Sequence, residues 1–166
     1  MRLRPAVRSD ASDIRRVHEL AFGTDAEADL VERLVCDGDA RISIVCLEQG
    51  RIVGHVLFSR MEVEADGQPV DALGLAPVAV VPERQGNGIG SALIEAGVAE
   101  ARRLGTEVIF VLGDTRLYRR FGFEGTAAKP FACRYAGPHL QVLLLNEAMT
   151  PAQSGRASYA PAFEAL

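Results

Sequence analysis

Three glycines alternate with other residues in the loop Gln85-Gly86-Asn87-Gly88-Ile89-Gly90, between an apolar stretch that ends at Val81 and a run of helical periodicity. Glycine has no Cβ atom, so the backbone of such a loop can approach a ligand closely. The loop opens onto a helix N-terminus, whose first amides lack partners within the helix and carry the positive end of its dipole. These features predict an anion site, and a diphosphate is the best fit.

Two other phosphate-binding motifs fit this loop less well. A P-loop requires a lysine before its terminal serine or threonine, whereas Gly90 precedes Ser91 here. A dinucleotide fingerprint counted from Gly86 needs its third glycine where Ser91 stands. Asp114, after the next strand, resembles the acid that binds ribose in dinucleotide sites, so that alternative stays open.

The pattern around the loop predicts one mixed α/β domain, with the domain proper at residues 1–150. The strands are predicted at residues 1–7, 42–47, 52–60, 72–81, 108–112 and 139–145. A first helix should follow a cap at Ser9 or Asp10, and three more helices are predicted at 25–35, 90–104 and 115–121. The early strands should form an antiparallel meander, whereas a right-handed crossover makes 72–81 and 108–112 parallel. Residues 151–166 are predicted to be a tail, irregular or a short edge strand, that packs on the same domain.

Bulk properties exclude several functional classes. The 166 residues carry a net charge of −4, which argues against binding to nucleic acid. Apolar runs are shorter than a membrane span requires, and the N-terminus lacks the pattern of a signal peptide. The three cysteines, Cys36, Cys46 and Cys133, show no metal-ligand spacing. A cytoplasmic protein without a metal is therefore expected.

The motifs resemble those of the GNAT N-acetyltransferase superfamily. Its Gln/Arg-x-x-Gly-x-Gly/Ala signature is matched by Gln85–Gly90, and its Leu-Tyr-x-x-x-Gly-Phe segment by Leu117–Phe123. Residues 54–59, 112–114 and 159–163 look like the YhbS-like bacterial subgroup. The resemblance implies a single α/β domain with a mixed, mostly antiparallel sheet flanked by helices, in which the fourth and fifth strands are parallel and splayed.

The same resemblance implies acetyl-coenzyme A as co-substrate, lying in the V-shaped gap between those two strands. The backbone of Val78, Ala79 and Val80 would bind the pantetheine arm, and a bulge is expected at Pro77. The pyrophosphate would be held by the loop amides of Gln85, Gly86, Asn87, Gly88, Ile89, Gly90 and Ser91. Asp114 is most simply a helix N-cap, with a cofactor contact as its second role.

Tyr118 is implied to be the catalytic acid, which protonates the departing coenzyme thiolate. A phenol and an alkyl thiol have similar intrinsic pKa values, so the transfer needs little driving force. The alternative for Tyr118 is a ring that only packs under a strand. The expected activity is transfer of an acetyl group from acetyl-CoA to a primary amine, by direct attack in a ternary complex. The alternative is a catalytically idle acyl-CoA sensor or regulatory module.

No single general base is assigned. Glu62 and Glu64 are expected to face solvent, His55 to be a satisfied structural histidine, and Glu27 to be within reach of the acceptor. His18 has no supporting context in the sequence. The acceptor, a small-molecule or protein amine, is not determined, because the fold does not select it. An apolar C-terminal region is compatible with a homodimer.

Overall fold

A mixed β-sheet forms the centre of the computed structural model, which describes residues 1–146 and 152–166. The strands are β1 Arg2–Pro5, β2 Ala40–Glu48, β3 Arg51–Ala65, β4 Gln68–Val70, β5 Ala72–Val80, β6 Val108–Leu112, β7 Phe131–Ala132, β8 Leu140–Leu144 and β9 Gly155–Tyr159. The helices are α1 Ala11–Phe22, α2 Ala26–Cys36, α3 Ile89–Arg103 and α4 Thr115–Arg119. A 3₁₀ turn, Pro161–Ala165, ends the chain.

The strand order along the main path is β1-β2-β3-β5-β6-β8. Neighbours on this path are antiparallel except for β5 and β6, which are parallel because α3 crosses over between them. The expected α/β class, the mostly antiparallel sheet and the parallel fourth and fifth strands (β5 and β6) are therefore confirmed. β1 lies at the edge of the sheet, where the proline at its end is tolerated.

The far end of β3 departs from the sequence-based expectation. This strand continues to Ala65 and there pairs with β4 and β9, and β9 also pairs with β7. The short strands β4 and β7 were not predicted. Within the tail, β9 is an inner strand rather than an edge strand. The predicted boundary between residues 150 and 151 lies outside the described residues.

The cap predicted for α1 is also different. Asp10 occupies the N-cap position, but its carboxylate binds the Arg4 guanidinium at 2.7 Å and the Val7 amide at 2.8 Å rather than the described helix amides. The ion pair with Arg4 is partly buried, which makes a charged partner more favourable than the helix end. This contact ties β1 to the start of α1.

Strands β5 and β6 stay paired for only four residues. The parallel register runs from Ala72↔Val108 to Leu75↔Val111, and β5 then continues to Val80 without β6 beside it. On the other side of β5, the register with β3 shifts between Val56 and Phe58, across from Pro77. The two parallel strands thus splay into an open gap at the carboxyl end of β5.

Helix α3 packs very closely on one face of the sheet. A Cβ atom at Gly97 would lie 2.0 Å from Phe58 Cε1, and one at Gly54 would lie 3.0 Å from Leu93 Cδ1. Because side chains alternate along β3, His55 and Ser59 point to the opposite face. On that face α1 packs across β3 and β5, and His18 of α1 hydrogen-bonds His55 at 2.8 Å.

We expect Gly97→Ala to destabilise the fold although alanine favours helix. The new methyl group would overlap the Phe58 ring, and overpacking of a core costs about 1–3 kcal/mol, against about 1 kcal/mol gained in helix propensity. The measurement is the free energy of unfolding in urea for Gly97→Ala, Phe58→Leu and the double variant. A smaller loss in the Phe58→Leu background supports the contact, whereas strictly additive losses would contradict it.

Candidate active site

The glycine loop adopts the conformation that its sequence requires. Gly86 and Gly88 have φ angles of 77° and 81°, and Gly88 is the N-cap of α3. Such angles strain residues with a Cβ atom, which explains two of the three glycines. The side-chain Nδ2 of Asn87 donates hydrogen bonds to the carbonyls of Arg84 at 3.1 Å and Gln85 at 3.0 Å. These two bonds stabilise the conformation of the loop.

A cleft of about 450 Å³ lies between this loop and the splayed end of β5. The predicted cofactor residues that line it are Val78, Ala79, Val80, Gln85, Gly86, Gly88, Ile89, Gly90 and Ser91. Sequence reasoning missed three further lining residues, Ile94, Leu117 and Arg120. Leu117 and Arg120 belong to the Leu117–Phe123 motif, so the motif held the signal for these two.

Backbone groups of β5 face the cleft at alternate residues. The Val81 amide donates to the Val53 carbonyl at 2.9 Å. In an antiparallel ladder this alternation turns the N–H and C=O of Ala79 towards His55, and those of Val78 and Val80 towards the gap. The Gln85 side-chain amide donates to the Val80 carbonyl at 3.0 Å, which agrees with that orientation.

The charge of the cleft differs from that of the chain. Among the described residues that line it, Arg84 and Arg120 are charged and none is acidic. Arg84 binds Glu48 through two contacts, at 2.5 and 2.8 Å, and the carboxylate raises the pKa of this guanidinium. Arg120, in contrast, has no carboxylate partner within the described chain. Its charge is therefore available to an anion in the cleft.

Tyr118 lies behind the cleft rather than on its wall. The residue is 7% exposed, and its ring packs against Phe123 with centroids 5.8 Å apart. A Cβ atom at Gly113 would lie 2.8 Å from Tyr118 Cε2, so the ring rests directly on the backbone after β6. Burial raises the pKa of Tyr118. The phenol is therefore protonated at neutral pH and can act as an acid.

Asp114 caps the helix that carries Tyr118. Its carboxylate accepts a hydrogen bond from the Arg116 amide at 2.8 Å, as expected for an N-cap. Asp114 is not among the residues that line the cleft. Its role as a cofactor contact stays a prediction.

Comparison with known proteins identifies the family. Residues 2–126 match the acetyltransferase (GNAT) domain model. The chain is 44% identical over 122 residues to the uncharacterized N-acetyltransferase YjhQ of Escherichia coli strain K12, which covers 72% of this chain and 67% of YjhQ. It is 34% identical over 138 residues to YhbS of the same strain, with 82% of this chain and 81% of YhbS covered. The chain belongs to the GNAT acetyltransferase family.

Solved structures agree with this assignment. YhbS from E. coli in complex with CoA has a TM-score of 0.87 at 31% identity, over 98% of this chain and 91% of that one. A GNAT acetyltransferase from Brucella melitensis in complex with acetyl-CoA has a TM-score of 0.80 at 34% identity, over 98% and 97%. The predicted N-acetyltransferase family and its YhbS-like subgroup are thus confirmed. The match favours a coenzyme A thioester over the dinucleotide alternative.

The candidate bases of this GNAT protein are mostly engaged elsewhere. Glu62 and Glu64 contact Arg60 at 3.3 Å and Arg156 at 3.4 Å, and Glu27 lies 3.5 Å from the Thr24 hydroxyl. Those contacts are exposed, and none of the three glutamates lines the cleft. The general base therefore stays unassigned.

His55 is the satisfied structural histidine that the sequence predicted, and its partner is the histidine that the sequence left without context. His55 Nδ1 lies 2.8 Å from His18 Nε2, and His55 Nε2 lies 2.8 Å from Ser43 Oγ. Both rings are fully buried. Burial lowers the pKa of His18 to about 4, and burial together with His18 lowers that of His55 to about 3. Such rings are neutral at pH 7 and are weak proton acceptors.

Three buried side-chain atoms have no hydrogen-bond partner in the described chain: His18 Nδ1, Ser59 Oγ and Tyr159 Oη. Residues 1–146 and 152–166 contain no cluster of three His, Cys, Asp or Glu side chains suited to a metal ion. No helix in those ranges has the length and apolar character of a membrane span.

The neutral histidine pair predicts a loss of stability in mild acid. The unfolded chain takes up a proton at each histidine near pH 6.5, whereas the folded chain resists until about pH 4. Stability is therefore complete above pH 6.5 and falls towards pH 4, by at most about 2.7 kcal/mol per pH unit for two protons. Urea unfolding at several pH values between 7 and 5 measures this slope.

His18→Gln should reduce the slope by about half, because one of the two titrating groups is removed. The matched control is His139→Gln, since His139 is exposed and lies outside the pair. A wild-type stability that stays constant from pH 7 to pH 5 would contradict the buried neutral pair.

Proposed function

We propose that this chain binds acetyl-CoA in the cleft beside β5 and transfers the acetyl group to a primary amine, by direct attack in a ternary complex. The observation that carries the proposal is the coincidence of two features at one end of β5. One is the gap where β6 leaves β5 after Leu75, and the other is the glycine loop at the N-terminus of α3. Relatives with this fold have been crystallised with CoA and with acetyl-CoA.

The coenzyme would be held by backbone and charge together. Val78 and Val80 offer N–H and C=O groups to the amides of the pantetheine arm, as an added strand would need. The amides from Gln85 to Ser91 and the dipole of α3 suit the pyrophosphate. Arg120 supplies a positive charge on the wall of the same cleft.

Tyr118 would supply the proton for the leaving group. The amine nitrogen attacks the thioester carbonyl carbon, the C–S bond breaks, and the phenol proton moves to the departing sulfur. The phenolate then regains a proton, and the amine loses one to a base that stays unassigned. Burial disfavours the thiolate as well as the phenolate, so the transfer stays near balance despite the raised pKa of Tyr118.

The identity of the acceptor stays as open as the sequence left it. A small-molecule amine and a protein amine both fit the proposal, and the homodimer and the cytoplasmic location stay predictions. Helix α3 and its loop lie on one face of the sheet, and α1 and α2 lie on the other. The acceptor would approach from the second face.

Acetyl-CoA should raise the melting temperature of the wild type, because ligand at about 100 times its Kd adds about 2.7 kcal/mol to stability. Gly90→Val should lose most of that shift, since its side chain would enter the cleft towards Val80. Ala99→Val adds bulk on the exposed side of the same helix and should keep it. Absence of a wild-type shift with millimolar acetyl-CoA, or a shift with NADH instead, would contradict the proposal.

Tyr118→Phe should lower turnover about 10²-fold and leave the Kd for acetyl-CoA nearly unchanged, as expected for loss of a general acid. Turnover is measured as thiol release across a panel of small amines, peptide N-termini and lysine peptides. An unchanged rate would refute the role of Tyr118. Acetyl-CoA binding without thiol release from any amine in the panel would instead support the idle sensor.

A further inference from the structure

Tyr159 places a buried hydroxyl group beside the point where β5 and β6 separate. This tyrosine ends β9, opposite Met61 of β3, and its ring crosses to β5. A Cβ atom at Gly74 would lie 2.6 Å from Tyr159 Cε1, so the ring rests on bare backbone. Gly74 directly precedes Leu75, the last residue of β5 that pairs with β6. The hydroxyl is bonded to Cζ, the ring carbon next to Cε1.

The ring is held firmly while its hydroxyl is left without a partner. Tyr135 packs edge-on against it with centroids 5.4 Å apart, and Phe163 packs at 5.0 Å. The hydroxyl oxygen is buried and has no hydrogen-bond partner among residues 1–146 and 152–166. A buried hydroxyl without a partner is unfavourable, and each such group in a native fold calls for an explanation. Packing alone would be served as well by phenylalanine.

Tyr118 and Tyr159 approach the gap from opposite strands. Tyr118 rests on Gly113, directly after β6, and Tyr159 rests on Gly74 of β5. Burial raises the pKa of Tyr159 strongly. Tyr159 therefore keeps its proton and can donate a hydrogen bond.

We propose that the Tyr159 hydroxyl donates a hydrogen bond to the carbonyl oxygen of the acyl group, from the side of the gap opposite Tyr118. The inference rests on the proposed function, since it requires the thioester to lie between β5 and β6. The bond orients the carbonyl carbon towards the incoming amine. It strengthens during attack, because negative charge develops on the oxygen that it contacts.

The test compares two tyrosines of one aromatic cluster in their affinity for acetyl-CoA and for CoA, which lacks the acyl group. Calorimetric Kd values are measured for the wild type, Tyr159→Phe and Tyr135→Phe. In Tyr159→Phe, the ratio of the acetyl-CoA Kd to the CoA Kd should rise about two- to tenfold, the effect of one hydrogen bond. Tyr135 is the control, because its hydroxyl already contacts the Phe163 carbonyl at 3.4 Å, and its variant should keep the wild-type ratio.

Thermal unfolding separates this role from a structural one. Tyr159→Phe removes a hydroxyl that has no partner within the described chain, so its melting temperature without ligand should equal or exceed that of the wild type. An unchanged Kd ratio, or equal weakening of both ligands together with a lower melting temperature, would overturn the inference. Failure of the wild type to bind either ligand would instead overturn the proposed function.

Discussion

The end of the pairing between β5 and β6 is the constraint on which the rest of the structure depends. Once β6 leaves at Val111, the backbone of Val78 and Val80 faces a gap instead of a neighbouring strand. The two strands are parallel, so the chain must cross over between them through α3. The N-terminus of that helix therefore meets the carboxyl end of β5. The free backbone of β5, the anion site at the start of α3 and the gap beside β6 are therefore consequences of one topology. The close contact of Gly97 with Phe58 keeps α3 in place.

The site shows that local charge can oppose net charge. A chain with a net charge of −4 presents Arg84 and Arg120 to its cleft, without an acidic residue among the described ones that line it. Glu48 neutralises one of these arginines and fixes its position. Binding of a polyanion therefore depends on backbone amides, a helix dipole and few side-chain charges. Such a site is compatible with an acidic protein because its field is short-ranged and the solvent screens distant charges.

Buried polar groups on the opposite face differ in how well they are satisfied. His55 has partners for both ring nitrogens, which agrees with a role in holding α1 on the sheet. Tyr159 packs against Phe163, yet its hydroxyl is buried and finds no partner in the described chain. Burial makes an unpaired hydroxyl costly, so a partner that arrives with the substrate is the physical explanation that we favour. The sequence alone does not separate the two cases, since the partners of both side chains come from distant parts of the chain.

Local pattern determined much of this protein. The glycine loop, the helix after it and the N-cap at Asp114 follow from residues near each other in the chain, where sterics and hydrogen bonding act over one turn. Tertiary structure alone decided which groups far apart in the sequence come into contact. It joined His18 to His55 and placed the ring of Tyr159 on Gly74. These contacts depend on register and on the packing of separate elements, which composition and periodicity do not encode.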